Sequence, residues 1–218
     1  MNLRSRVALS GVILCLTLSS AIPDLARGAG CHAPRNLTPE QLLATMTPEE
    51  KVGQLFLVAF QGDDVSPGSA VARLIQHWRV GSVISAANHN FDNDTLAPQR
   101  VARLANALQA LALIAPTAAS YSSATNTYTP IPLFIALHQE GDGYPFSGVW
   151  QGVTPLPDQM AIGATWNPSY AQQVGQIVGQ ELAALGVNML LGPSLDVLDK
   201  PRPTLPGALG VRSFGGDP

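Results

Sequence analysis

The chain has 218 residues, of which 46% are hydrophobic and 12% charged, and its formal net charge is −3. That length is enough for one domain with a sizeable core. The weakly acidic balance provides no basic field for nucleic acid, and two cysteines with scattered histidines leave no structural zinc site to be expected.

The first thirty residues stand apart. Arg4 and Arg6 precede an apolar run from Val7 to Ala21, with Ser19 and Ala21 as small residues for cleavage. This pattern predicts an export signal over residues 1–30 and a location outside the cytoplasm. The alternative is an N-terminal membrane anchor, although the run is short for a span. Cleavage would remove Cys15 and leave Cys31 alone, so no internal disulfide is expected. The domain itself is assigned to residues 31–218.

In that domain Thr38 with Gln41, and Thr47 with Glu50, both fit the capping box, with Pro39 and Pro48 at the first helical positions. Residues 54–60, "QLFLVAF", form a continuous apolar run, as in a strand covered on both faces. "SAVARLIQHW" then carries Val71, Leu74, Ile75 and Trp78 at helical spacing. A second strand is predicted over 81–86, followed by a helix with Val101, Leu104, Leu108 and Leu111 on one face. Residues 116–130 lack apolar periodicity and read as a surface insertion. A third strand covers 131–137. Asn167 caps a helix with Pro168 at its first position, a stripe of Val174, Ile177, Val178, Leu182 and Leu185, and Gly186 past its end. A fourth strand covers 187–193. Strict alternation of strand and helix means parallel strands with crossover helices.

In such a fold the loops after the strands share one face, where ligands bind. The second strand runs into Asn88, His89 and Asn90, the third into His138, Gln139 and Glu140, and the fourth into Ser194, Asp196 and Asp199. Each residue taken alone also fits a turn or a helix cap, and Asp142 between two glycines suits a tight turn. Three polar clusters at equivalent places point to a site. The sequence has no Walker loop, GxGxxG, HExxH, CxxC or GxSxG pattern, so no cofactor and no metal are expected.

Four stretches, "MTPEEKVGQLFLV", "IPLFIALHQEGDG", "TPLPDQMAIGATWNP" and "GVNMLLGPSLDV" through "GVRSFGGDP", together resemble the N-terminal domain of glycoside hydrolase family 3. The resemblance implies a TIM-type (β/α)8 barrel, of which this chain would supply the first half, about four parallel β/α units. It also implies retaining hydrolysis of terminal β-linked sugars. The stretch after "LDV" is similar to the β-N-acetylhexosaminidase branch, with a β-glucosidase-like member as an alternative. By the same resemblance Asp196 and Arg212 hold sugar hydroxyls, and the fixed donors of Arg212 suit that task. Glu140 and His138 complete the candidate substrate-binding set. The family usually has an aspartate where His138 stands, so "HQEGDG" departs from its pattern.

Retaining hydrolysis needs a nucleophilic carboxylate and an acid/base group. No carboxylate of the chain matches the family's nucleophile, and the family's lysine-histidine motif is expected beyond Pro218. No catalytic residue is therefore assigned within the chain. Two readings follow: part of an exported glycosidase that is inactive as this piece alone, or a non-catalytic sugar-binding pseudoenzyme domain. A weaker third is an unrelated α/β module with a small ligand at the strand ends.

Overall fold

A computed structural model describes residues 37–86, 88–114, 130–141, 143, 145–197 and 209–216. The predicted export segment, Cys31, nearly all of the 116–130 insertion, Asp142 and Asp199 lie outside the described residues.

Two short helices open the domain, α1 (Pro39–Thr45) and α2 (Pro48–Gly53), and both carry the expected capping box. In each, the threonine hydroxyl accepts from the backbone three residues on, while the Gln41 or Glu50 side chain accepts from the threonine N–H. Then follow β1 (Leu57–Ala59), α3 (Ala70–Gln76), β2 (Ser82–Ser85), α4 (Ala97–Leu113), β3 (Phe134–His138), α5 (Gln159–Ala164), α6 (Pro168–Ala184) and β4 (Met189–Leu191). A 3-10 turn, Gly210–Arg212, lies near the end. The four strands form one parallel sheet in the order β1-β2-β3-β4.

All four predicted strands are present, each shorter than its apolar run. Gln54, Leu55 and Phe56 continue the turn of α2, their N–H groups donating to the carbonyls of Glu50, Val52 and Gly53 at 3.1 Å. β3 starts late because the Gln109 side chain takes both backbone groups of Leu133, at 2.8 and 3.1 Å, and withholds them from the ladder. β3 also runs one residue further than expected and includes His138.

Strand alternation divides the side chains between two faces. The row Val58–Val83–Ile135 faces the helices. There it packs with Val71 and Ile75 of α3, Val101, Leu104 and Leu108 of α4, and Val178 and Leu182 of α6. The stripes predicted for α4 and α6 are thus largely buried. Trp78 differs: α3 stops at Gln76, Arg79 turns the chain at φ 56°, and Trp78 is 63% exposed. The turn is fixed by a buried ion pair between Arg79 and Glu50, 3.5 Å apart. It also lays the carbonyls of Trp78 and Arg79 against Gly53, where a Cβ would collide with them.

On the other face Leu57 and Phe134 are exposed. In a closed (β/α)8 barrel that face is filled by side chains from across the axis. Continuous apolar strands were expected to be covered on both sides, and here one side is open.

Candidate functional site

The sharp exit from β3 is built by its own side chains. Gln139, read in the sequence as one of the polar exit residues, is buried and pairs with the backbone of Val149 through both ends of its amide, at 2.9 and 3.3 Å. The Ser147 hydroxyl donates to the Gly141 carbonyl at 2.6 Å, and Gly141 takes φ +82° against the Pro157 carbonyl, where a side chain would not fit. This folded-back loop brings Phe146 next to the strand end.

Three of the four predicted site residues meet there. Glu140 has only 1% of its side chain exposed. Arg212 grips it with two parallel bonds, Nε donating to Oε2 and Nη2 to Oε1, both at 2.6 Å. His138 Nε2 lies 2.9 Å from Oε1. The Ser194 N–H and Gln159 Nε2 approach Oε2 at 3.4 and 3.5 Å. The guanidinium also stacks over the Phe146 ring, 4.6 Å from its centroid.

Burial pushes the Glu140 carboxyl up. The Arg212 bonds and charge, the Ser194 amide and the His138 ring together outweigh it, and the net displacement is downward. Arg212 is raised in turn, first by its bonds to Glu140 and also by the charges of Glu140 and Asp196. Glu140 is therefore a charged group whose oxygens are already occupied. It is unsuited to protonate a leaving group.

Asp196, the fourth predicted residue, follows β4 and is exposed. Its Oδ2 accepts from the Ser194 hydroxyl at 2.6 Å. Its backbone carbonyl accepts from Phe214 N–H at 3.2 Å and from the Ser213 hydroxyl at 3.3 Å, which ties the Arg212 segment to the β4 exit. The mouth of the sheet thus presents an open carboxylate beside a guanidinium with unspent donors.

The exit of β2 plays another part. Asn90 is buried; its Oδ1 accepts from Ala86 N–H and its Nδ2 donates to the carbonyls of Phe60 and Gly62, all at 3.0 Å. It staples the β1 exit to the β2 exit. His89 is exposed and meets Gln61 Nε2 at 3.0 Å, and Asn88 forms a turn at φ 63°. The sequence reading did not single out Gln159. It is buried at the start of α5 and donates to the Glu140 carbonyl at 2.9 Å. Its sequence signals are its place after Asp158, the cap of α5, and within the stretch "TPLPDQMAIGATWNP". Among the described residues no group of three His, Cys, Asp or Glu side chains could hold a metal ion, and no helix is long and apolar enough to cross a membrane.

A parallel β/α sheet with its charged cluster at the strand C-termini defines a β/α-barrel-type protein. Comparison narrows the class: the profile described as "Glycosyl hydrolase family 3 N terminal domain" matches residues 47–218, and the chain belongs to that family. A relative, "Beta-hexosaminidase A" of Pseudoalteromonas piscicida, is 34% identical over 190 residues, 79% of this chain and 28% of the relative. Among solved structures, a family 3 β-N-acetylglucosaminidase from Paenibacillus sp. aligns with TM-score 0.60 and 34% identity, over 78% of this chain and 28% of that one. A β-N-acetylhexosaminidase from Beutenbergia cavernae aligns with TM-score 0.59 and 27% identity, over 80% and 46%. The chain spans between about a quarter and a half of the length of these relatives.

Proposed function

We propose that the chain is the sugar-binding part of a β-N-acetylhexosaminidase-like glycoside hydrolase that acts outside the cytoplasm. The observation that carries this reading is that the segment of Arg212, whose guanidinium is fixed by a buried glutamate, is tied at the strand C-termini to the exposed Asp196. An acceptor and a rigid fork of donors side by side suit adjacent hydroxyl groups of a sugar ring. Glu140 sets the fork and itself touches no sugar. The hexosaminidase relatives named above support the substrate class. Export rests on the charged and apolar pattern of residues 1–30.

The chain's own residues bind and orient the sugar, and none of them is assigned as the nucleophile or the acid/base group that retaining hydrolysis needs. The test is a comparison of chromogenic β-N-acetylglucosaminide and β-glucoside with the full-length protein. Preference for the N-acetylglucosaminide is the expected result. Preference for the glucoside would move the assignment to the β-glucosidase-like branch, and no turnover of either would favour a sugar-binding pseudoenzyme.

A further inference from the structure

His138 occupies the last position of β3, and its side chain is 39% exposed at the mouth of the sheet. Both ring nitrogens face acceptors. Nδ1 lies 3.0 Å from the Phe146 carbonyl oxygen, and Nε2 lies 2.9 Å from Glu140 Oε1. A carbonyl oxygen and an ionised carboxylate can only accept. A neutral imidazole has one N–H and satisfies one of them; the doubly protonated ring satisfies both. With both nitrogens engaged, the ring has no polar atom left for a sugar hydroxyl.

We propose that His138 is a positioning residue, acting through Glu140 to hold Arg212 in its sugar-facing pose, and does not bind the sugar by a ring nitrogen. The inference rests on the sugar-binding reading of Arg212. Oε1 of Glu140 is shared between His138 Nε2 and Arg212 Nη2, whereas Oε2 takes Arg212 Nε and the long contacts from Ser194 and Gln159. The histidine is thus the second donor on the Oε1 side. Removing it leaves a buried oxygen with one donor and frees the carboxylate to rotate about its terminal torsion, which is soft. Arg212, held through that carboxylate, rotates with it. The charged group in contact with the ring is Glu140 at the exit of its own strand; Arg212 from the 3-10 turn acts on Glu140, and Asp196 at the β4 exit acts on Arg212.

Two amide substitutions separate the two contacts. Glutamine reaches where Nε2 stands and keeps a donor for Glu140, while asparagine reaches where Nδ1 stands and keeps a donor for the Phe146 carbonyl. The readouts are the Arg212 Nε–H resonance in the full-length protein carrying ¹⁵N-labelled arginine, and calorimetric binding of N-acetylglucosamine. His138→Asn should move the resonance from its strongly hydrogen-bonded position and weaken binding about tenfold, the scale of one hydrogen bond to a charged group. His138→Gln should stay within about twofold of wild type in affinity, since the donor to the carboxylate is kept. A role confined to anchoring the Phe146 loop reverses the order, with His138→Asn the milder change. That reversal, or an Arg212 resonance unmoved in both variants, overturns the proposal. If wild type binds neither N-acetylglucosamine nor glucose, the sugar reading fails, and the Arg212 resonance still decides the positioning role.

Discussion

A carboxylate with 1% of its side chain exposed keeps its charge only where donors replace the lost water. For Glu140 those donors are Arg212, His138 and, at longer range, Ser194 and Gln159. Its folded pKa lies below the ordinary glutamate value. The stabilisation linked to it is therefore complete above that ordinary value and is lost as pH falls through the lowered one. Glu140→Gln should destabilise the fold by about 2–4 kcal/mol at neutral pH, below the figure for fully enclosed pairs because the Arg212 edge reaches solvent. Urea midpoints measured against pH check this: the gap between variant and wild type should shrink in acid, and a gap that stays constant would show that the charge is not what matters. Asp196 is exposed, and its loss should leave the fold intact. Asp196→Ala in the full-length enzyme should raise the barrier in kcat/KM by about 2–4 kcal/mol, the scale of a preorganised hydrogen bond to the transition state. An unchanged rate counts against its role. Asp196 and Arg212 could be picked out in the sequence because they stand in motifs. The burial of Glu140 could not, because its counter-ion lies 72 residues away.

Between elements, two contacts decide where the site residues stand. Gly163 in α5 lies so close to the Phe214 carbonyl that a methyl group there would collide with backbone. Phe214 is two residues from Arg212, so Gly163→Ala should push the whole segment outward. The expected destabilisation is about 1–3 kcal/mol, as for overpacking elsewhere, and the Arg212 Nε–H resonance should move with it; a resonance left in place would refute the coupling. Asn90 binds the exits of β1 and β2 through three hydrogen bonds. Asn90→Ala leaves those backbone groups without partners and should cost about 1–3 kcal/mol, read from a urea midpoint. A change within about 0.5 kcal/mol, usual for a surface site, would mean that water replaces the amide there. The capping boxes of α1 and α2 were legible because both halves lie within four residues. Asn90 reads in the sequence as part of a polar exit cluster because the two carbonyls it joins, of Phe60 and Gly62, lie 30 and 28 residues away. The start of β1 was misjudged for a related reason. Leu55 and Phe56 are as apolar as the strand after them, and hydrophobicity alone does not separate the end of a helical turn from the start of a strand.

Across the whole described sheet, β1 and β4 each have one unpaired edge, and Leu57 and Phe134 lie exposed on the open face. An apolar hollow of about 550 Å³ beside β1 is lined by residues that include Val52, Phe56, Leu74 and Trp78. Unpaired edges template association, and exposed apolar patches favour it. Residues 31–218 produced alone should therefore elute from size-exclusion chromatography as oligomers or aggregates and show no turnover of chromogenic β-glycosides. A compact monomer with robust turnover would refute both expectations. The parallel order of the strands was readable from the alternation of patterns, whereas the open face was not, since an apolar strand looks the same in sequence whatever covers it. The distance between Glu140 and Arg212 along the chain also has a meaning in time. During synthesis at about 5–20 residues per second, the glutamate emerges roughly 4–14 s before the arginine that will hold it. β1, β2 and β3 precede Glu140 and β4 emerges in that interval, with the carboxylate still without its arginine. A nascent chain halted before Arg212 thus carries every strand of the described sheet but not the two arginine bonds that hold Glu140, and the mouth of the sheet is among the last parts of the described chain to be completed.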